Sequence, residues 1–169
     1  MSETTRHSGA SFRIDQIQGN FRIVTFDASG EKGLQADRLI TKGEVLIRFQ
    51  TEEKQVKPDV YSIQVDENHH VLLRPEFLRL TNHSCDPNII MDVENLSMVA
   101  LRDIQPGEGL AFFYPSTEWD MSGVFECGCG SAACLGRISG ALYLDPAILR
   151  RYWLSPYIRK MTGLSNPAE

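Results

Sequence analysis

Three of the four cysteines fall within eight residues, in Cys127-Gly128-Cys129-Gly130-Ser131-Ala132-Ala133-Cys134, and Gly136 follows closely. No other feature constrains the chain as tightly. Repeated Cys-Gly pairs make poor core segments, while the glycines let the backbone bend so that neighbouring sulfurs face one point. In a reducing compartment such clustering favours a metal over disulfides, and a set of thiolates suits zinc. The cluster supplies three ligands. The fourth position falls to Cys85, to a histidine or to water.

The remainder of the chain reads as one globular domain. Its 169 residues are 42% hydrophobic and 23% charged, enough to bury a core without further staples. No apolar run approaches the ~18 residues of a membrane span. The first nine residues contain no apolar stretch of the secretory kind, so an intracellular protein, nuclear or cytoplasmic, is expected. The net charge of −5 argues against a nonspecific nucleic-acid coat. The stretch 115–126 carries Glu118, Asp120 and Glu126 with no Lys or Arg, a surface that suits a basic peptide.

Short β-branched runs separated by turn residues predict a mostly β (α+β) chain. Strands are expected at Phe21–Phe26, in the stretch ending at Phe49, at Tyr61–Val65, at Val71–Leu73, in a hairpin over 88–102, and at Gly109–Tyr114. A helical turn is expected at 75–80. The polar stretch 50–59 reads as an exposed connection and residues 1–19 as an N-terminal tail. Asp145 followed by Pro146 marks a helix start, and Pro156 divides the last segment into two short helices ahead of a frayed end from Gly163.

Two strings carry chemistry. Asn82-His83-Ser84-Cys85-Asp86-Pro87-Asn88 is a tight polar loop by composition. Gly107-Glu108-Gly109-Leu110-Ala111-Phe112-Phe113-Tyr114 follows, and the cysteine cluster follows that. With the loop Gly30–Ala36 ahead of them, these stretches stand in the order found in SET-domain protein lysine methyltransferases with a zinc-binding post-SET segment, and the chain resembles that family over about residues 20–140.

The resemblance implies a SET-domain fold of small curved β-sheets with a knot-like crossing that brings the two strings together. The implied layout is a SET domain over 20–115, a post-SET zinc segment over 116–140 and a C-terminal helical extension over 141–169. It implies S-adenosyl-L-methionine as cofactor, held by Lys32, Gly33, Leu34, Asn82, His83 and Tyr114. Tyr114 and Tyr61 are the implied catalytic residues, with Tyr61 and Phe112 lining the lysine channel. Phenylalanine at 112 implies di- or trimethylation. One structural zinc ion is implied on Cys85, Cys127, Cys129 and Cys134. The implied partner is a protein or peptide substrate bearing lysine, histone tails included, with no nucleic acid, no membrane and the oligomeric state open. One departure stands out. The family's glycine-x-glycine triplet is Glu31-Lys32-Gly33 here, so a SET fold with weakened cofactor binding that holds peptides is the competing reading.

Overall fold

The computed structural model describes residues 5–7, 10–54 and 59–167. Four-stranded antiparallel pairing joins β1 (Thr5–His7), β2 (Ala10–Gln18), β3 (Phe21–Phe26) and β4 (Lys32–Ala36) in chain order. A three-stranded sheet has β5 (Val45–Arg48) beside β11 (Ser97–Ala100), with β10 (Ile89–Asp92) on the far side. A second three-stranded sheet places β8 (His69–Arg74) between β6 (Gln50–Lys54) and β7 (Ser62–Asp66). Two small pairs complete the β structure. In one, β9 (Asn82–His83) runs parallel to β12 (Ala111–Phe112); in the other, β13 (Phe125–Glu126) runs antiparallel to β14 (Arg137–Ile138).

Two expectations are corrected here. Residues 10–18 are a strand and not part of a tail. Their alternating composition is polar on one side, but Phe12 is buried and the strand pairs with β3 from Phe12↔Phe26 to Gln18↔Phe21. Residues 1–4 and 8–9 lie outside the described residues. The connection expected at 50–59 begins as β6, because its backbone finds partners along β8 while its polar side chains suit a sheet edge. Residues 55–58 lie outside the described residues.

Apolar positions of these sheets form the main core, with Phe21, Leu34, Ile40, Leu73, Leu78 and Met91 among its buried members. A second core packs the C-terminal segment onto the molecule through Phe113, Leu149, Tyr152, Leu154, Tyr157 and Ile158. Adjacent Phe112 and Phe113 thus feed different cores, as side chains that alternate along an extended backbone must.

The two C-terminal helices are α1 (Pro146–Leu149) and α2 (Pro156–Thr162). Asp145 caps the first by accepting from the Ala147 amide at 2.7 Å, and Ser155 caps the second by accepting from Ile158 at 3.4 Å. Gly163 ends α2 in the left-handed conformation at φ 69°. The frayed end expected from there is instead tied back, since Asn166 Oδ1 accepts from the Leu154 amide at 2.7 Å. No helix among the described residues is long and apolar enough to cross a membrane.

The buried side chain of Asn88 fastens the junction that positions the site. Its Nδ2 donates to the Gly109 carbonyl at 2.7 Å and to Glu108 Oε1 at 3.1 Å, and its Oδ1 accepts from the Ala111 amide at 2.9 Å. Its own amide donates to the Ala111 carbonyl at 3.1 Å. Asn88→Ala strands a buried amide and a carbonyl, so we expect a loss of about 2–3 kcal/mol in unfolding free energy. Chemical denaturation measures it, and a change within the noise of surface substitutions would contradict this role.

Candidate functional site

The parallel pairing of β9 with β12 sets Asn82 opposite Ala111 and His83 opposite Phe112. The Ser84 amide extends the pairing by donating to the Phe112 carbonyl at 3.1 Å. Two strings some 30 residues apart in sequence are thereby laid side by side, as expected. The strand expected over 109–114 is shorter, because Tyr114 with Pro115 opens a 3-10 turn over Tyr114–Ser116. That turn swings the Tyr114 ring over the junction.

His83 Nδ1 accepts from the Tyr114 amide at 3.2 Å. Its Nε2 therefore carries the proton and faces Cys85 Sγ at 3.4 Å. Burial pushes the imidazole down to about 4, so the ring is neutral at physiological pH. The Tyr114 hydroxyl donates to the Thr81 carbonyl at 2.9 Å, which fixes its direction and leaves its oxygen lone pairs open. Burial, with the Glu118 carboxylate adding to it, pushes Tyr114 up to about 12, so the phenol stays protonated. Around the tyrosine stand Phe112 at 4.8 Å, His83 at 5.2 Å and Phe125 at 6.0 Å between ring centres.

These groups face a cavity of about 930 Å³, lined by Lys32, Tyr61, Asn82, His83, Phe112 and Tyr114 among others. One side is walled by the stretch from Met121 to the cysteines. Tyr61 is half exposed at the rim, with the Arg79 guanidinium 5.7 Å over its ring. Six of the residues expected at the site from sequence thus meet in one cavity.

Gly33 and Leu34 sit differently. A Cβ on Gly33 would come within 2.9 Å of Asn82 Nδ2 and 3.1 Å of the Phe26 ring, so glycine there admits the asparagine side chain. Leu34 is a core residue only 2% exposed and lies away from the cavity wall, because β4 alternates and turns that side chain inward. The glutamate of the Glu31-Lys32-Gly33 triplet also has a local explanation. The preceding turn takes its left-handed residue at Gly30, φ 71°, and Glu31 needs no such conformation.

The four cysteines are free thiols whose sulfurs all lie within 4.8 Å of one another. A tetrahedral zinc with bonds near 2.3 Å needs sulfurs roughly 3.8 Å apart, and Cys85 Sγ is already 4.0 Å from Cys127 Sγ. The Leu135 amide donates to Cys85 Sγ at 3.4 Å, the kind of contact that steadies a thiolate ligand. The residues fit the ion, and Cys85 takes the fourth place that the spacing left open. The Tyr152 hydroxyl donates to the Cys85 carbonyl at 2.7 Å, and its ring stacks on Phe113 at 3.7 Å. The C-terminal segment thereby braces the cysteine centre and the site strand together.

Three contributors were not legible as site residues in the sequence. Phe125 has no motif around it beyond its place before the cluster. Thr81 acts through its backbone carbonyl, which any residue supplies. Glu118 is visible only as one member of an acidic stretch, yet it lines the cavity beside Tyr114.

Comparison with known proteins agrees with this geometry. A methyltransferase of Aspergillus flavus, flvH, is 44% identical over 82 residues, 47% of this chain and 46% of that protein. The H3 lysine-4 specific histone-lysine N-methyltransferase of Emericella nidulans is 29% identical over 73% of this chain and 12% of its own length. The Drosophila melanogaster histone-lysine N-methyltransferase ash1 is 30% identical over 79% of this chain and 7% of its own length. The chain therefore spans less than half the length of each of these relatives. The methyltransferase domain of human histone-lysine N-methyltransferase SETMAR shares the fold, with a TM-score of 0.55 and 20% identity over 73% of this chain and 59% of that one. The SET domain family matches residues 31–115, a stretch that holds both site strings. With half its length so matched and the strings meeting in one cavity, the chain belongs to the SET-domain family.

Proposed function

We propose that the protein is an S-adenosylmethionine-dependent protein lysine N-methyltransferase. The observation that carries this reading is the single cavity in which Asn82, His83, Tyr61, Phe112 and Tyr114 meet against a wall made by the cysteine segment. When bound, S-adenosylmethionine supplies an electrophilic methyl group. Asn82 and the backbone at His83 would hold it, with Lys32 and Gly33 alongside. Glycine at 33 lets the Asn82 side chain approach where a Cβ would collide with it, which supports a cofactor role for that asparagine.

The chain's own residues then have distinct tasks. Tyr61, Phe112 and Tyr114 form an aromatic channel for the aliphatic stem of a lysine. The hydroxyl of Tyr114, fixed by Thr81, offers lone pairs to align the amine. Phe112 brings no hydroxyl to hold a water at the channel end, which supports di- or trimethylation. Zinc on the four thiolates would have no open position and would be structural. The substrate class is a lysine-bearing protein segment, with histone tails supported by the names of two relatives. Asn82, His83 and Tyr114, all kept and all on the cavity, favour the enzyme over the competing peptide-holding reading.

The test is an array of lysine-centred peptides, histone tails included, incubated with zinc-loaded protein and methyl-labelled S-adenosylmethionine. Label on lysine, resolved by mass spectrometry as two or three methyl groups, is expected. Firm cofactor binding with no peptide labelled would contradict the enzyme reading.

A further inference from the structure

We propose that Glu118 meets the substrate's ε-ammonium inside the cavity and takes its proton, an inference that rests on the methyltransferase reading. Glu118 lines the cavity directly after the turn that carries Tyr114, and its amide donates to the Tyr114 carbonyl at 3.1 Å. The side chain is anchored through one oxygen only. Oε1 accepts from the Gln64 amide of β7 at 3.0 Å and from Thr117 Oγ1 at 3.2 Å. Gln64 in turn accepts from the Trp119 amide through its Oε1 at 3.0 Å, and the Ala141 amide donates to the Glu118 carbonyl at 2.9 Å. No donor among the described residues reaches Oε2. A carboxylate anchored through one oxygen, with the other unengaged, on the cavity wall beside Tyr114, is a socket for a cation.

The other titratable groups on that wall do not serve. His83 is neutral and its Nδ1 is occupied by the Tyr114 amide. The Tyr114 phenol keeps its proton. Glu31, Lys32 and Glu126 are exposed, Asp59 holds the Tyr61 amide at 2.9 Å, and Arg79 is a cation over the Tyr61 ring. Burial pushes the Glu118 carboxyl up to about 7, against which its two donors pull down. A carboxyl near 7 is ionised often enough to accept a proton and basic enough to want one.

The step balances without a further reactant. An N–H bond of the lysine ammonium breaks, its electron pair stays on nitrogen, and the proton bonds to a Glu118 oxygen. The neutral amine then has the lone pair that methyl transfer requires, and the proton leaves to solvent through the open side of the cavity. The need is large, since an unperturbed lysine is only about 0.04% neutral at pH 7.

Glu118→Gln separates this role from a structural one, because the amide oxygen still accepts from Gln64 and Thr117. Wild type and variant are compared on the peptide that the wild type labels most strongly, from pH 6.5 to 9.5. Cofactor affinity and unfolding are followed alongside. The variant should bind S-adenosylmethionine within twofold of wild type and lose about 10²-fold or more in kcat/KM at pH 7. The loss should narrow more than tenfold by pH 9.5, where the lysine sheds its proton unaided. In a measurement without turnover, wild type should bind that peptide more tightly than its counterpart with norleucine at the target position, and the variant should not distinguish them. A variant within threefold of wild type at pH 7, or a loss that is flat with pH, would overturn the inference while leaving the methyltransferase reading intact. A wild type that binds cofactor and labels no peptide would overturn both.

Discussion

Tyr114→Phe should lower turnover by more than ~10²-fold, the range of a lost hydrogen bond that acts at the reacting centre. The substitution removes one oxygen and keeps the ring. The packing against Phe112, His83 and Phe125 is therefore retained. What is lost is the hydroxyl held on the Thr81 carbonyl at 2.9 Å. That bond is worth about 1 kcal/mol to the fold, so the variant should remain folded and bind cofactor like wild type. Steady-state kinetics with a labelled peptide checks the claim. The fall should appear in kcat with little change in the KM for cofactor. Turnover near that of wild type would remove Tyr114 from the chemistry and leave it a packing residue.

Cys134→Ser should be equally damaging by a different route. The segment from Phe125 to Ile138 has little apolar surface to bury and only two-residue strands at its ends. Its internal order rests on a few turn bonds, such as the Cys127 amide donating to the Gly136 carbonyl at 2.6 Å and the Cys134 amide to Ser131 at 3.0 Å. A zinc ion on the four thiolates would hold such a segment, since structural zinc sites contribute on the order of 10 kcal/mol in small domains. With one thiolate gone, zinc should fall well below one ion per chain. The segment should become sensitive to protease, and the cavity should lose a wall. Methyl transfer should then drop to near background, while the sheets of the main core stay folded. Full zinc content together with full activity would refute the assignment of Cys134.

Much of this arrangement was legible in the sequence because it depends on residue types with few alternative uses. Three cysteines with glycines between them point to a metal, the resemblance implies Cys85 as the fourth ligand, and the fold brings its sulfur to within 4.8 Å of the other three. The Asn82–Cys85 and Gly107–Tyr114 strings were readable as a unit for the same reason, and the pairing of β9 with β12 joins them. The helix starts at Asp145 and Ser155 followed by proline are local signals, and local signals survive into the structure.

What the sequence left open is what tertiary context decides. Ala10–Gln18 and Gln50–Lys54 are polar enough to read as tail and loop, and they are strands because neighbours supply their hydrogen-bond partners. Leu34 stands beside Gly33 in the chain, yet alternation in β4 sends it to the core while Gly33 faces Asn82. Asn88 looked like a turn residue and proves to be a buried fastening between 88 and 109–111. Glu118 carries no spacing rule that would single it out from Asp120 or Glu126. Only its position behind Tyr114, anchored on β7, gives it a place in the site.

We propose the junction of the two strings as the cofactor site. Calorimetric titration of S-adenosylmethionine into zinc-loaded protein, with Asn82→Ala beside it, tests this most directly. Asn82 is exposed at the cavity and makes no fold-supporting contact comparable to that of Asn88, so the variant should stay folded. The wild type should show saturable micromolar binding that Asn82→Ala weakens by at least tenfold. Absence of binding by well-folded wild type, or equal binding by the variant, would contradict this assignment.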